Sequence, residues 1–315
     1  MLLLKILLIL ALIVLAAVLA FSYYAYRTAF YSSPKKRGQL LELPKDESYD
    51  SSYSTRLYKE MEAIPFEEVR ITAHDGTSLY GRYYHVADGA PLQIQFHGYR
   101  GSSIRDFCGG NKLAREYGQN TLMIDQRAHG QSGGNMITFG IRERLDCLDW
   151  ANYAAQRFGT HTPIFLTGIS MGAATVLMAS DLPLPQNVVG IIADCPYSSP
   201  AAIIRKVCKE MGFPPAIAFP LVKLGAFLYG GLRFGDCSAE HSVAHSNFPI
   251  LLIHGEADEF VPCEMSRSIY NACNSRKEIH TFEKAQHGLS YIQDTPRYEK
   301  TVQTFMDGCL AEYRG

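Results

Sequence analysis

The sequence has almost no net charge, no closely spaced cysteine pair and no internal repeat, and each of these absences argues against a class of protein. With 30 basic against 31 acidic residues in 315, the formal net charge is -1, which gives no reason to expect a nucleic-acid partner. The eight cysteines contain no Cys-x-x-Cys pair, so the spacing argues against zinc and favours buried free thiols, although an even count permits disulfides in an exported protein. No internal repeat is visible, so the sequence does not indicate a solenoid. A hydrophobic fraction of 47% is typical of a globular chain.

One long hydrophobic run stands at the N-terminus. Leu2 to Phe21 is apolar apart from Lys5, and about 20 residues at roughly 1.5 Å each cover the hydrocarbon thickness of a bilayer. Tyrosines and Arg27 follow, as at a membrane interface. We predict a transmembrane anchor over residues 1–26. A secretory signal peptide cleaved after Ala20 is the alternative, but the run is longer than the usual signal core; a buried helix of a soluble protein is a third interpretation.

The orientation of this anchor is open. Arg27, Lys35, Lys36 and Arg37 follow the apolar run, and basic residues favour the cytoplasmic side. Large domains after a single N-terminal anchor are more often exported. We expect a protein anchored by one helix, with its main domain on the extracytoplasmic side.

The rest of the chain alternates between strand-like and helix-like segments. Residues 27–62 are polar and predict a linker with some helix, and the main domain is expected over 63–315. His74-Asp75-Gly76 predicts a hairpin turn between two alternating strands. Short buried strands then alternate with amphipathic helices, which predicts a mostly parallel sheet with helices on both faces. The expected parallel strands are Leu92–Phe96, Asn120–Ile124, Pro163–Thr167, Val188–Ala193, Pro249–His254 and Glu278–Phe282.

One connection is too long for this rhythm. More than 50 residues separate the strand ending at Ala193 from the one starting at Pro249, whereas connections in such domains are usually a few residues long. Two apolar helix-like segments, Ala201–Met211 and Ala216–Tyr229, lie between them. We predict an inserted helical lid over about 197–247; a second membrane contact is the alternative.

A serine sits between two glycines where a strand gives way to a helix. In Gly168-Ile169-Ser170-Met171-Gly172, the small flanking residues suit a sharp strand-to-helix turn. The serine would project above the sheet at a helix N-terminus, whose partial positive charge favours a developing oxyanion. The pattern predicts a nucleophile if a base and an acid are found elsewhere in the chain, whereas an ordinary turn needs no such partners.

Two partners follow at the ends of later strands. A serine hydroxyl needs a base, and the base needs an orienting acid. Asp258 follows the penultimate strand and His287 the last one, so the chain order is Ser170, Asp258, His287. Asp194, also at a strand end, is the rival for the acid.

These segments resemble the α/β-hydrolase superfamily, and specifically its serine hydrolases with a His-Gly-x-x-Asp-x-x-Val-Pro acid loop. The similarity runs from about Phe66 to the C-terminus, and it extends to the membrane-anchored Bem46-like and serine aminopeptidase-like branch. It implies an α/β fold of the α/β-hydrolase type, with a helical lid. It also implies that the backbone N–H groups of Tyr99 and Met171 form an oxyanion hole. A loop at 125–132 resembles the family's Asp-x-Arg-Gly-His-Gly-x-Ser motif, with Ala128 in place of the glycine.

The resulting hypothesis is a serine hydrolase that cleaves a carboxylic ester or thioester. It would act on small-molecule acyl or lipid-like substrates near a membrane, and its mechanism needs no metal or cofactor. A serine peptidase related to prolyl oligopeptidases and a non-catalytic membrane-tethered binding module are the alternatives. The remaining candidates are expected to be inert in catalysis. His97 and His129 are expected to form structural hydrogen bonds, Cys195 is not expected to be a nucleophile, and His241 and His245 are not expected to bind metal.

Overall fold

The computed structural model describes residues 1–33, 51–235 and 237–313. An eight-stranded sheet forms its centre, in the order β1-β2-β4-β3-β5-β6-β7-β8. The first two strands pair antiparallel with each other, β2 pairs antiparallel with β4, and every other neighbouring pair is parallel. The predicted α/β fold with a mostly parallel sheet is therefore confirmed. The strands are β1 (Glu67–Thr72), β2 (Ser78–Tyr84), β3 (Leu92–Phe96), β4 (Asn120–Asp125), β5 (Ile164–Ile169), β6 (Val188–Asp194), β7 (Ile250–Gly255) and β8 (Lys277–Phe282).

Helices cover both faces of the sheet. All positions of β3, β4, β6 and β7 are buried, as expected for central strands packed on two sides. The fully buried Trp150 marks the core on one face, and Phe305 marks the core on the other. The helices are α1 (Leu2–Ala25), α2 (Ser51–Glu62), α3 (Ser103–Glu116), α4 (Glu143–Phe158), α5 (Met171–Met178), α6 (Pro200–Glu210), α7 (Pro215–Gly230), α8 (Ala239–Ala244), α9 (Glu264–Ala272), α10 (Ser290–Gln293) and α11 (Thr295–Glu312).

The N-terminal helix α1 changes character along its length. Its side chains from Met1 to Ala17 are exposed, although nearly all are apolar. Near its end, Ser22 and Ala25 are buried because the helix packs against α7. A Cβ atom on Gly225 of α7 would lie 2.0 Å from the carbonyl oxygen of Ser22. Only glycine allows the two helices to approach this closely.

The residues directly after α1 are built into the main domain. Tyr26–Phe30 form a π-helical turn, and Phe30 is completely buried, with its ring 5.5 Å from that of Phe139 and 6.0 Å from that of Phe234. The Ile137 N–H donates to the Phe30 carbonyl over 2.8 Å. This part of the predicted linker therefore contributes side chains to the core.

Helix α2 is the second described part of the predicted linker. It packs on α3, and Leu57 and Met61 are buried in that contact. The intervening part of the predicted linker, residues 34–50, lies outside the described residues. The division between linker and domain at residue 63 stays a prediction, but α2 already forms part of the wall of the domain.

The predicted helical insertion is present between β6 and β7, as helices α6, α7 and α8. One side of α7 is buried, through residues that include Phe219 and Val222. The other side carries exposed apolar side chains, including Ile217 and Phe227. The insertion thus joins the end of α1 to the main domain.

Candidate active site

Ser170 occupies a strained turn between β5 and α5. Its φ of 55° and ψ of -114° lie in a region that non-glycine residues rarely adopt. The two flanking glycines are required by space. A Cβ atom on Gly168 would lie 2.3 Å from the carbonyl carbon of Gly172, and one on Gly172 would lie 1.8 Å from the Phe96 carbonyl oxygen. The Gly-x-Ser-x-Gly spacing is thus explained by the close packing of this turn against itself and against β3.

The structure brings the three predicted side chains together. Ser170 Oγ lies 2.8 Å from His287 Nε2, and His287 Nδ1 lies 2.6 Å from Asp258 Oδ2. The other oxygen of Asp258 accepts the backbone N–H groups of Phe260 and Val261, at 2.9 and 2.7 Å. The carboxylate therefore faces His287 in a fixed orientation. Each of the three side chains follows the carboxyl end of a parallel strand, β5, β7 or β8.

The surroundings of Asp258 favour its ionised form. Burial alone would raise the pKa of this carboxyl, but hydrogen bonds from His254 and His287 outweigh burial and lower the pKa to about 2. An ionised Asp258 can only accept hydrogen bonds, so Nδ1 of His287 carries the proton of that contact. The Nε2 atom is then free to accept the Ser170 hydroxyl proton.

His254 is a second histidine that supports this carboxylate, and sequence analysis gave it no role. It is fully buried at the end of β7. Its Nε2 lies 2.8 Å from the Val261 carbonyl oxygen and 3.3 Å from Asp258 Oδ2, while Nδ1 lies 2.6 Å from Ser266 Oγ. A carbonyl oxygen only accepts, so Nε2 carries the proton and Nδ1 accepts the serine hydroxyl. The available signal was its place at the first position of the His-Gly-x-x-Asp-x-x-Val-Pro loop.

Asp194, the rival acid, takes a different place. Its carbonyl oxygen accepts the Ser170 N–H over 2.8 Å, which fixes the backbone of the turn. Burial raises the pKa of its carboxyl to about 6, against a smaller opposing effect from His254 and from the hydroxyl of Tyr298. The contact with His287 Nδ1 is made by Asp258, so the structure favours Asp258 over Asp194 as the orienting acid.

The two predicted oxyanion donors flank Ser170. Met171 is the first residue of α5, so its N–H has no acceptor within the helix. In the loop after β3, the N–H of Gly98 donates to Asp106 Oδ2 over 2.8 Å, and that of Arg100 donates to His129 Nε2 over 3.0 Å. Within the described part of the chain, no acceptor is found for the N–H of Tyr99 between them.

The neighbouring loop at 125–132 is held by hydrogen bonds. His97 and His129 act alike, as predicted: Nδ1 of each lies 2.8–2.9 Å from a backbone carbonyl oxygen, and Nε2 accepts a backbone N–H at 3.0 Å. Ala128 has a φ of 63°, a conformation that favours glycine, which is the residue that the family motif has at this position. The chain therefore holds an alanine in a strained backbone conformation there. Arg127 donates to Asp146 over 2.6 Å and fixes the loop to α4.

The cysteines and metal-ligating groups offer little competing chemistry. All eight cysteines are free thiols, and burial raises the pKa of Cys195 well above its ordinary value, so this thiol stays protonated and a poor nucleophile. Cys195 lies close to Asp258 and His287, whose carboxylate and imidazole are hydrogen-bonded to each other. The exposed His241 and His245 contact each other on and just after α8.

A cavity of about 310 Å³ reaches Ser170 and His287. Helices α2, α3 and α10 supply apolar walls, including Leu57 and Phe107, and Phe260 packs its ring 5.0 Å from that of His287. Among the described residues, none between 197 and 247 lines this cavity. Its covering wall therefore includes α2, from the predicted linker, whereas α6 of the insertion reaches Phe260 at its side, through Lys206.

Comparisons with known proteins agree with this architecture. A family model described as the alpha/beta hydrolase fold matches residues 94–207, and one described as serine aminopeptidase, S33, matches residues 226–291. The chain is 28% identical to the uncharacterized protein YqkD of Bacillus subtilis over 77% of this chain and 81% of that protein. It is 23% identical to the lysophosphatidylserine lipase ABHD12 of Rattus norvegicus, over 70% of this chain and 57% of that lipase.

The fold is also found in solved structures. The esterase Pf2001 of Pyrococcus furiosus superposes with a TM-score of 0.64 at 23% identity, covering 79% of this chain and 92% of the esterase. The residues matched by the two family models include Ser170, Asp258 and His287. With this strand order, the matching family models and the solved structures, the chain has the α/β-hydrolase fold.

Proposed function

We propose that the chain is a serine hydrolase that cleaves carboxylic esters or thioesters through an acyl-enzyme. The observation that carries the proposal is the continuous hydrogen-bonded series from Ser170 Oγ through His287 to Asp258, at 2.8 and 2.6 Å. Both distances are those of a nucleophile with its general base and of a base with its orienting acid. The strained backbone of Ser170 presents the hydroxyl to the cavity.

In the first half of the reaction, His287 Nε2 takes the Ser170 hydroxyl proton as Oγ attacks the substrate carbonyl carbon. Asp258 stabilises the imidazolium that results, and the N–H groups of Tyr99 and Met171 stabilise the oxyanion. The tetrahedral intermediate then collapses, and His287 gives its proton to the departing alcohol or thiol. The products of this half are an acyl ester of Ser170 and the free leaving group.

Water completes the cycle. His287 Nε2 removes a proton from a water molecule as the water oxygen attacks the acyl carbonyl carbon. The second tetrahedral intermediate then collapses to the carboxylic acid, and His287 returns the proton to Ser170 Oγ. None of these steps changes an oxidation state or requires a metal ion.

The cavity supports a small acyl substrate. Its volume of about 310 Å³, at roughly 30 Å³ for a group the size of water, accommodates about ten methylene-sized groups. The walls near Leu57 and Phe107 are apolar and therefore suit a hydrocarbon chain. We expect esters of medium-length acids to be cleaved faster than those of long-chain acids. The likeness to a lipase and to an esterase supports the same class of substrate.

Two alternatives remain distinct. The model described as serine aminopeptidase over residues 226–291 is the observation that favours a peptidase, which would cleave aminoacyl amides in preference to acyl esters. A membrane-tethered binding module with the same fold would cleave neither. Rates on matched chromogenic acyl esters and aminoacyl amides separate these three functions.

The decisive experiment is reaction of the full chain in detergent with a fluorophosphonate, followed by peptide mapping. We expect one labelled peptide that contains Ser170, no label on Ser170→Ala, and strongly slowed labelling of His287→Ala. Ser180→Ala is the matched control, because the hydroxyl of Ser180 is buried without a hydrogen-bond partner in the described structure and its removal costs little. A wild type that takes no label would contradict the hydrolase proposal.

We also propose that α1 is a retained membrane anchor, with the catalytic domain on the extracytoplasmic side. The continuous helical stretch Leu2–Phe30 is long and apolar enough to cross a bilayer. Its exposed apolar side chains would be costly in water. Resistance to alkaline extraction tests the anchor. Digestion of the domain by protease added to intact cells tests the orientation, and protection there would reverse it.

A further inference from the structure

We propose that the exposed side of α7, together with the turn that joins α6 to α7, lies on the surface of a lipid bilayer beside α1. This surface, called here the insertion face, consists of Met211, Phe213, Ile217, Phe227 and Leu228. Each of these side chains is exposed by 38–66%. The proposal rests on the membrane anchoring proposed above and extends it from the anchor to the catalytic domain.

The depth of α7 relative to α1 follows from their contacts. If the bilayer begins near Leu2, about 20 residues at roughly 1.5 Å each bring the chain out of the hydrocarbon near Ser22. At that level α7 packs against α1: the Tyr23 ring lies 5.1 Å from that of Tyr229, and Gly225 contacts Ser22. The contact therefore lies at the membrane interface, where tyrosines are favoured.

Charge on the same helices suits this position. Arg205, Lys209, Lys223 and Arg233 are exposed around the insertion face. A helix with an apolar side and basic flanks binds in the plane of the interface and is attracted to anionic lipids. Large exposed apolar patches on a domain that faces only water are uncommon. Lipid covers both the exposed apolar part of α1 and the insertion face in one continuous surface.

Tryptophan quenching in reconstituted bilayers tests this placement. The chain has one tryptophan, Trp150, which is fully buried in the core and gives a constant background. We would reconstitute the full chain with Ile217→Trp into bilayers containing phospholipids brominated near the headgroup end of their chains. We expect the introduced indole to lose fluorescence to bromine, with an emission maximum shifted to the blue.

Two matched variants make the result decisive. Leu10→Trp lies midway along α1 and must be quenched by bromine deep in the bilayer if α1 is the anchor. Val86→Trp lies between β2 and β3, at the amino ends of the parallel strands. The loop of Arg100, which contacts the segment after α1, lies at their carboxyl ends, so the indole at position 86 should not be quenched.

Quenching at position 10 with none at position 217 would overturn the insertion-face proposal and leave the anchor intact. No quenching at position 10 would overturn both. A blue shift at position 217 without bromine quenching would indicate contact with protein and would also overturn lipid contact. Quenching that strengthens with anionic lipid would support the role of the basic residues.

A separate set of hydrogen bonds leads to a second inference: we infer that Arg100 is a positioning residue for the oxyanion hole. Its Nη2 donates to the carbonyl oxygens of Thr28 and Tyr31, at 2.8 and 3.2 Å, and its Nε donates to the Tyr99 hydroxyl over 2.8 Å. That hydroxyl in turn donates to the Ala29 carbonyl over 2.9 Å. The segment after α1 is thereby joined to the loop that holds the Tyr99 N–H.

This contact stabilises both the segment after α1 and the loop that contains Tyr99 and Arg100. Carbonyl groups at the end of a helical segment lack partners within the helix, and Arg100 and Tyr99 supply donors to them. Arg100 itself has a φ of 52°, a strained backbone that persists only when surrounding contacts hold it. The side-chain contacts therefore help to fix the direction of the adjacent Tyr99 N–H. The role rests on the hydrolase function proposed above.

Kinetics of Arg100→Ala in the full chain test this role against Arg142→Ala. Arg142 is a matched control because its Nη2 also caps the end of a helix, donating to the Gly230 carbonyl at the end of α7 over 3.1 Å. We expect Arg100→Ala to lower kcat at least about tenfold with KM little changed, since loss of a whole oxyanion donor costs about 10²–10³. Arg100→Lys should recover part of the loss.

If Arg100→Ala and Arg142→Ala have the same kcat at matched thermal stability, Arg100 has no positioning role. A rise in KM alone would also overturn the inference, because it would indicate weaker substrate binding with the oxyanion hole intact. A wild type that neither reacts with fluorophosphonate nor cleaves esters refutes the proposed function and this role together.

Discussion

Replacing Phe30 tests whether the residues after α1 belong to the core of the catalytic domain. The side chain is completely buried and packs on the rings of Phe139 and Phe234. Truncation of such a buried phenylalanine to alanine costs about 3–5 kcal/mol, from lost burial and from the cavity that remains. A linker residue in water would cost almost nothing.

The expected result is a fall in the melting temperature of the order of 10 °C, since each kcal/mol shifts the midpoint by about 2–4 °C in a domain of 150–250 residues. Thermal unfolding of the full chain in detergent, followed by the fluorescence of the buried Trp150, reports the core and not α1. Tyr24→Ala is the control, because Tyr24 is 53% exposed. Melting of Phe30→Ala within a degree or two of this control would refute the assignment of Phe30 to the core.

Three further substitutions probe the site. Asp258→Asn should lower kcat by about 10⁴, measured on an acyl ester, because the amide no longer holds His287 in the productive tautomer; unchanged kcat would contradict the role of this carboxylate. Gly172→Ala should destabilise the fold by more than about 3 kcal/mol in denaturant unfolding, because the new Cβ would lie 1.8 Å from the Phe96 carbonyl oxygen; normal stability would show that the turn can relax. The raised pKa of Asp194, about 6, means that the folded state holds a proton that the unfolded state releases, so wild-type stability falls as pH rises from about 4 to above 6. Asp194→Asn should remove the part of this dependence that Asp194 contributes and gain about 2 kcal/mol relative to the wild type between pH 4 and pH 8, while Asp146, whose pKa burial also raises to about 6, contributes equally in both proteins; parallel stability curves would refute the assignment.

The main chemistry of the site was visible in the sequence because it depends on local patterns. A strand of five buried residues at Leu92–Phe96 was predicted and found with the same bounds. Ser170, Asp258 and His287 each follow a parallel strand, and the carboxyl ends of such strands meet at one edge of a sheet. Order along the chain was therefore enough to expect these three side chains in one place.

The role of the segment after α1 could not be found in the same way. Its contacts join residues far apart in the chain, such as the Ser32 hydroxyl and the Ala128 carbonyl, which are 96 positions apart. A single buried side chain such as Phe30 gives no periodic signal, because amphipathic patterns need several residues on one face. The polar composition of residues 27–62 favoured a linker, although α2 within it buries Leu57 and Met61. His254 was also missed, since its hydrogen bonds to Ser266 and Val261 depend on how the loop folds back.

The π-helical turn at Tyr26–Phe30 makes this chain sensitive to the number of residues between the anchor and the domain. A π-helical turn holds more residues than an α-helical turn of the same height. Deleting one residue there would be absorbed by a change from π-helical to α-helical spacing, whereas adding one would rotate everything before it by about 100° relative to Phe30, the angle that one residue spans in an α-helix. The face of α1 that carries Ser22 would then turn away from Gly225, so a single insertion should be more damaging than a single deletion in the same segment.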